Sequence, residues 1–360
     1  MGGGPAKDIV LIALPFPEPK DYLSLLRSHH PGLSITYHQT SSSSPSLPAS
    51  AFADITILVT FATLPSDPSD APVLELVQLF SAGSNHISET PIYKDSDVTI
   101  ATSSGIHGPQ IAEWVVMTSL VHSHKYKALY ELQKRHEWGK TGQGDDYHDV
   151  RDMVGRRIGV LGYGSIGRQV GRVGKAMGME VVAFTASKKE TRESRKDKGF
   201  IVPGTGDPEG EIPREWYSGL DKESLRGFLG RDLDVLLVSV PLTDDTRGML
   251  GKEEFEVLSG GGKRKPFVVN IARGPIIRQD ELIEALKDGT LGGAALDVTD
   301  PEPLPKDSEL WDLKNAIVTP HVSGVGQAYT ERAFLLLDEQ LRRRSKGEKL
   351  LNVVQRRRGY

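Results

Sequence analysis

The chain has 360 residues, with 44 Lys and Arg against 48 Asp and Glu and a formal charge of -4, so it lacks the strong positive field expected of a nucleic-acid binder. Apolar residues at 38% and charged residues at 26% suit a globular chain rather than a disordered one, and at roughly 100–200 residues per domain the length implies about two domains. Cysteine is absent, which excludes disulfides, thiolate zinc sites and cysteine nucleophiles together and fits a reducing, cytoplasmic setting.

In chain order, Ile9–Leu14 is an apolar, β-branched run cut short by Pro15, Pro17 and Pro19. It is too short to span a membrane and reads as a strand opening a domain. Ala6 stands where a myristoylation signal needs Ser or Thr, and no targeting segment is expected. Ile35–His38, Ile55–Val59 and Val98–Ala101 continue a first strand series, with Thr40–Ser50, rich in Ser and Pro, as a solvated loop. Ile111–Lys134 has no Gly or Pro and reads as a helix crossing between domains, followed by a second helix. The polar stretch Gly139–Asp149 is either a surface loop or a dimer arm. A second series comprises Arg157–Leu161, Glu180–Phe184, Val235–Ser239, Phe267–Ile271, Gly293–Leu296 and Ile317–Val318. An amphipathic helix follows over Gln327–Arg344, with Ala333, Leu336, Leu337 and Leu341 on one face. Such alternation predicts an α/β protein of two Rossmann-like, doubly wound parallel-sheet domains. Ser187–Asp221, with mixed charges and then Pro203, Gly204, Gly206, Pro208, Gly210 and Pro213, reads as a solvated insertion, with a lid over a ligand as the alternative.

The first motif with chemistry is Gly162-Tyr163-Gly164-Ser165-Ile166-Gly167, between the apolar run Ile158–Leu161 and a helical pattern through Val170 and Val173. In that context Gly162 permits the tight turn, Gly164 lets a pyrophosphate reach the backbone, and Gly167 allows close helix–strand packing. The helix N-terminus then faces the diphosphate. The next strand should end in a carboxylate for the adenosine ribose, yet Val181–Phe184 runs into Thr185-Ala186-Ser187-Lys188-Lys189. Hydroxyls and cations there favour NADP(H) over NAD(H), with Ser187 and Lys188 the foremost 2′-phosphate contacts and Thr185, Lys189 and Arg192 in reserve.

Three later segments place ionisable residues after a strand: Asn270-Ile271-Ala272-Arg273-Gly274-Pro275, Leu296-Asp297-Val298-Thr299-Asp300-Pro301-Glu302-Pro303 and Thr319-Pro320-His321-Val322-Ser323-Gly324. Strand ends of a doubly wound sheet converge on one crevice, so Arg273, Glu302 and His321 form a candidate active site. The forked guanidinium of Arg273 can hold a keto acid by its carboxylate and carbonyl. His321 can move a proton near neutral pH, with Glu302 orienting its ring.

With Val240–Leu250 (VPLTDDTRGML) added, these segments resemble the D-isomer-specific 2-hydroxyacid dehydrogenases over nearly the whole chain. The resemblance implies hydride transfer between nicotinamide and substrate carbon, with Arg273, Glu302 and His321 catalytic. It implies a cofactor domain, 119–324, inserted into a substrate domain built from 1–118 and 325–360, and a homodimer formed through the cofactor domains. Ser81, Ala82 and Gly83, within Phe80–Asn85, match the family's carboxylate-binding loop. Val240, Pro241, Thr246, Ile271, Ala272, Asp297, His321 and Gly324 match cofactor-lining positions, with Asp297 near the nicotinamide carboxamide. Gly105–Glu113 matches the start of the interdomain helix. The function implied is an NADP-dependent reductase of short 2-keto acids such as glyoxylate and hydroxypyruvate. The alternative is a dinucleotide-sensing, corepressor-like protein on the same fold. No metal, nucleic acid or membrane partner is implied.

Overall fold

The computed structural model describes residues 8–41, 47–139 and 150–356. Most of the Gly139–Asp149 stretch, the middle of Thr40–Ser50, and Ala6 lie outside the described residues. Two units result, one built from the chain up to Ile106, Lys198–Val202 and the chain from Gly326 onward, the other from His107–Asp197 and Pro203–Val325.

The first unit is a five-stranded parallel sheet in the order β2-β1-β3-β4-β5. Its strands are β1 (Ile9–Leu14), β2 (Ser34–Gln39), β3 (Ile57–Thr60), β4 (Leu76–Leu79) and β5 (Thr99–Ala101). α1 (Lys20–His29), the short α2 (Pro91–Lys94) and the long α10 (Tyr329–Ser345) complete it. α10 presents Ala333, Phe334, Leu336, Leu337 and Leu341 to Val10, Ile12 and Leu76. Each of the buried Leu and Phe side chains stabilises the packing by roughly 1.5–3 kcal/mol, which is why the end of the chain returns to this unit. β4 was not anticipated from the sequence: it is four residues long and carries Gln78 at its centre. Gln78 is buried and hydrogen-bonded by Gln340 Nε2 at 3.1 Å, a partner 262 residues away.

The second unit is a seven-stranded parallel sheet in the order β12-β11-β10-β9-β6-β7-β8. It runs through α3 (Gly108–Ser123), α4 (Tyr126–Lys134), β6 (Arg157–Leu161), α5 (Ser165–Ala176), β7 (Glu180–Thr185), α6 (Arg192–Arg195) and β8 (Glu215–Ser218). It continues with α7 (Lys222–Leu229), β9 (Val235–Val238), α8 (Lys252–Leu258), β10 (Phe267–Asn270), α9 (Gln279–Lys287), β11 (Gly293–Leu296) and β12 (Ala316–Val318). Strand residues alternate between two cores: Leu161, Leu236 and Val238 enter one, Val160, Val235 and Leu237 the other. Burial on both faces explains why these strands read as continuous apolar runs. The order reverses between β6 and β9, the switch point at which α/β sheets bind ligands.

Two differences from the sequence expectation have physical causes. The break between units falls at Ile106/His107 rather than 118/119, because α3 buries Ile111, Ala112, Trp114 and Val115 in the core that contains Val160 and Val170. The stretch 187–221 is not simply a solvated loop. It contributes α6 and the edge strand β8, and it is folded around Asp207, which is buried. Asp207 accepts hydrogen bonds from Tyr163 Oη at 3.0 Å, Glu211 N at 3.0 Å and Ile212 N at 3.1 Å. Among the described residues no helix is long and apolar enough to cross a membrane.

Candidate active site

At the switch point the turn after β6 meets the turn after β9. Gly162 has φ +101, and a Cβ there would lie 2.7 Å from the Ser239 carbonyl, so only glycine fits. A Cβ on Gly167 would lie 2.4 Å from the Gly162 oxygen, so α5 starts tight against β6. Gly164 differs from both: a Cβ there meets nothing within 4 Å. The glycine keeps open the space in front of the α5 N-terminus, where Ser165 and Ile166 begin the helix. That open cradle, on a twelve-residue helix, suits a diphosphate. Tyr163 faces inward instead: its ring is buried, its hydroxyl bonds Asp207, and its N–H donates to Phe184 O at 3.2 Å. Its side chain thus packs beneath the turn.

Beyond the end of β7, the Thr185 hydroxyl donates to Ser187 O at 2.8 Å. Ser187 and Lys188 are exposed, with Lys188 Nζ 3.6 Å from Glu190. After β9, the Thr246 hydroxyl closes the loop by donating to Pro241 O at 2.7 Å, and Val240 is partly buried against the core.

The ends of β10, β11 and β12 are laced together by the backbone. Asp297 N donates to Asn270 O at 3.1 Å, and His321 N donates to Asp297 O at 2.8 Å. The turn that presents Arg273 is closed by buried Asn270, whose Nδ2 donates to Arg273 O at 3.0 Å and whose Oδ1 accepts from Ala272 N at 3.0 Å. Gly274 lets this turn press on the next one, since a Cβ there would lie 1.9 Å from Thr299 O. Ile271 and Ala272 are buried beneath.

The geometry brings the three candidates together. His321 Nδ1 lies 2.7 Å from Glu302 Oε1, which makes Nδ1–H the donor to the carboxylate and leaves Nε2 as the ring nitrogen not engaged by Glu302. Their side chains are 47% and 42% exposed, so the pair is reachable from solvent. Burial pushes the Arg273 guanidinium below its ordinary value, and the Glu302 charge acts against that fall. Arg273 Nη1 donates to Ala272 O at 2.6 Å.

His321 has φ +55, a left-handed conformation uncommon for a residue with a side chain. Buried Asp297 holds it there. One carboxylate oxygen accepts from Thr319 Oγ1 at 2.6 Å and Val322 N at 2.9 Å, and the other from Ser323 N at 2.9 Å. Gly324 O then accepts from Gln110 Nε2 at 2.9 Å. The anchoring duties of Gly274 and Asp297 were not legible in the sequence, because each depends on a neighbouring strand end.

Ser81, Ala82 and Gly83 belong to the first unit, just after β4. Ser81 Oγ donates to Gly83 O at 2.8 Å and Ser81 O accepts from Ser103 N at 2.8 Å, which gives the turn a defined shape.

The model of the D-isomer specific 2-hydroxyacid dehydrogenase NAD-binding domain matches residues 116–202 and 211–323. A glyoxylate reductase from Aeropyrum pernix is 27% identical over 292 residues, 80% of this chain and 78% of that one. A solved NADPH-dependent glyoxylate/hydroxypyruvate reductase from Sinorhizobium meliloti, in complex with NADP and sulfate, is 28% identical with a TM-score of 0.74, covering 98% of this chain and 100% of that one. A solved D-isomer specific 2-hydroxyacid dehydrogenase from Xanthobacter autotrophicus, in complex with NADPH and MES, is 25% identical with a TM-score of 0.75, covering 99% and 100%. The matched span takes in the glycine cradle at the switch point and the three laced strand ends, and on that ground the chain belongs to the D-isomer specific 2-hydroxyacid dehydrogenases.

Proposed function

We propose that the protein reduces a short 2-keto acid to the D-2-hydroxy acid with NADPH, with glyoxylate and hydroxypyruvate as the first substrates to test. The observation that carries this reading is the 2.7 Å His321–Glu302 pair at a strand end laced to the one bearing Arg273. A bound nicotinamide dinucleotide supplies the hydride. Arg273 holds the substrate carboxylate and polarises the carbonyl through a bidentate fork. His321 delivers a proton from Nε2 to the carbonyl oxygen, a contribution typically worth about 10²–10⁴-fold in rate. Glu302 keeps Nδ1–H engaged so that Nε2 faces the substrate. Ser81, Ala82 and Gly83 bind the substrate carboxylate. The Gly162–Gly167 turn holds the diphosphate, Val240, Pro241, Thr246, Ile271, Ala272, Asp297 and Gly324 line the dinucleotide, and Asp297 also sets the loop of His321.

Preference for NADPH rests on the missing carboxylate after β7, and the S. meliloti and X. autotrophicus relatives were solved with NADP and NADPH. A cytoplasmic homodimer is part of the same reading; the dimer is supported by the exposed apolar residues Met117, Tyr126, Leu129, Tyr130 and Trp138 on and beside α3 and α4. The test is a panel of 2-keto acids with NADPH and NADH, followed by absorbance of the reduced nicotinamide, on wild type and His321→Ala. Turnover that collapses in the variant supports the assignment. No turnover with any keto acid, alongside tight dinucleotide binding, refutes it in favour of a cofactor-sensing protein.

A further inference from the structure

We infer that the insertion after β7 is a brace for 2′-phosphate recognition and that Arg195 is its positioning residue, an inference that rests on the NADPH reading above. Ser187 and Lys188, the proposed phosphate contacts, are exposed and have little packing of their own. The carbonyls of the residues before and after Lys188 are nonetheless both held. Ser187 O accepts from the Thr185 hydroxyl at 2.8 Å, and Lys189 O accepts from Arg195 Nε at 2.9 Å. With the 187–188 peptide held on one side and the 189–190 peptide on the other, the loop around Lys188 has less conformational freedom to lose, which lowers the entropic cost of ordering it on a ligand.

Arg195 can hold this loop because it is itself held from several sides. Its guanidinium lies 5.7 Å from the Trp216 ring centroid, a cation–π seat. Its N–H donates to Thr191 O at 3.2 Å and its carbonyl accepts from Arg168 Nη2 at 2.6 Å. Arg168, buried on α5 one residue past Gly167, also donates from Nη1 to Asp207 O at 2.6 Å. Asp207 in turn takes the hydroxyl of Tyr163 from within the glycine turn. One connected set of polar contacts therefore runs from the diphosphate cradle, through Asp207 and Arg168, to Arg195 and the loop at Lys188. Gly210 completes the seat: at φ +69, a Cβ there would lie 2.4 Å from Arg195 O.

The position of Arg195 fits a brace rather than a ligand. Trp216 pairs with Ala183 in the sheet, whereas Thr185 at the strand end pairs with Ser218, so the guanidinium sits over the sheet behind the strand end. Nearby cations are differently engaged: Arg192 pairs with Glu211, and Lys196 with Glu193 and Glu209. Arg195 ties the insertion to the backbone of the Ser187–Lys189 loop through its side chain.

The test is calorimetric titration of the apo-protein with NADP+ and NAD+, together with hydrogen exchange at residues 187–189, for wild type, Arg195→Ala and Arg195→Lys. Loss of a charge-assisted positioning bond in Arg195→Ala should weaken NADP+ binding about tenfold while leaving NAD+ within about twofold. Exchange at 187–189 should quicken, and Arg195→Lys, which keeps a donor and a cation, should fall between. Retained NAD+ binding shows that the variant is folded. Equal weakening of both dinucleotides, or no change in either, in a wild type that prefers NADP+ overturns the brace alone. A wild type that binds NAD+ as tightly as NADP+ overturns the cofactor preference and the brace with it.

Discussion

Gly164→Ala separates holding the fold from holding a ligand. Gly164 has φ -87 and ψ -161, a conformation alanine adopts freely, and its added methyl would meet no protein atom within 4 Å. Folding stability should therefore hold or rise by about 0.4–1 kcal/mol, because alanine loses less chain entropy on folding. Binding should respond in the opposite sense. The methyl would project into the space through which a diphosphate reaches the amides at the start of α5. Losing one or two charge-assisted hydrogen bonds, at roughly 1.5–3 kcal/mol each, amounts to about 3 kcal/mol, or roughly a hundredfold in Kd. Thermal melts and calorimetry with NADP+ measure the two quantities independently. Gly162→Ala is the contrasting control: at φ +101, with the Ser239 carbonyl 2.7 Å from the new Cβ, it should lose stability as well as binding. A Gly164→Ala protein that binds NADP+ like wild type would show that the α5 N-terminus is not the diphosphate site.

Three further outcomes are expected. Glu302→Gln removes the charge that holds Nδ1 of His321 and should lower kcat by about 10²-fold; steady-state kinetics with wild-type kcat would sever the pair from catalysis. Arg273→Lys replaces a planar fork with a point charge and should lower kcat/KM for the keto acid by roughly ten- to a hundredfold, the worth of one charge-assisted bond. The His122 imidazole, stacked on Phe267 with centroids 4.4 Å apart, is pushed down to about 4 by burial, with Lys125 and Arg156 adding to the fall. The unfolded chain therefore takes up this proton first. The stability tied to a neutral His122 is complete above about pH 6.5 and is lost as pH falls toward 4, by about 3 kcal/mol in all. Denaturant unfolding of wild type and His122→Gln across that range should show the difference between them shrinking by this amount; parallel curves would refute the assignment.

The parts of the site that sequence made legible are local ones. The glycine turn declares itself because strand, turn and helix are contiguous, and the bounds of β1, β6 and β11 (Ile9–Leu14, Arg157–Leu161 and Gly293–Leu296) agree with their apolar runs. Arg273, Glu302 and His321 could be named because each follows such a run within a motif. Tertiary structure alone decided what those residues lean on. Asp297 lies 22 to 26 residues from the Thr319, Val322 and Ser323 groups it holds, Asp207 lies 44 residues from Tyr163, and Gln78 lies 262 from Gln340. A buried carboxylate or amide is tolerated only where donors and acceptors meet it, and those partners come from other strands and helices. Local propensity and motif register what a segment prefers for itself, and so could name the candidate side chains at the strand ends. Which distant groups hold them in place is set by packing, where chain segments remote in sequence complete one another's hydrogen bonds.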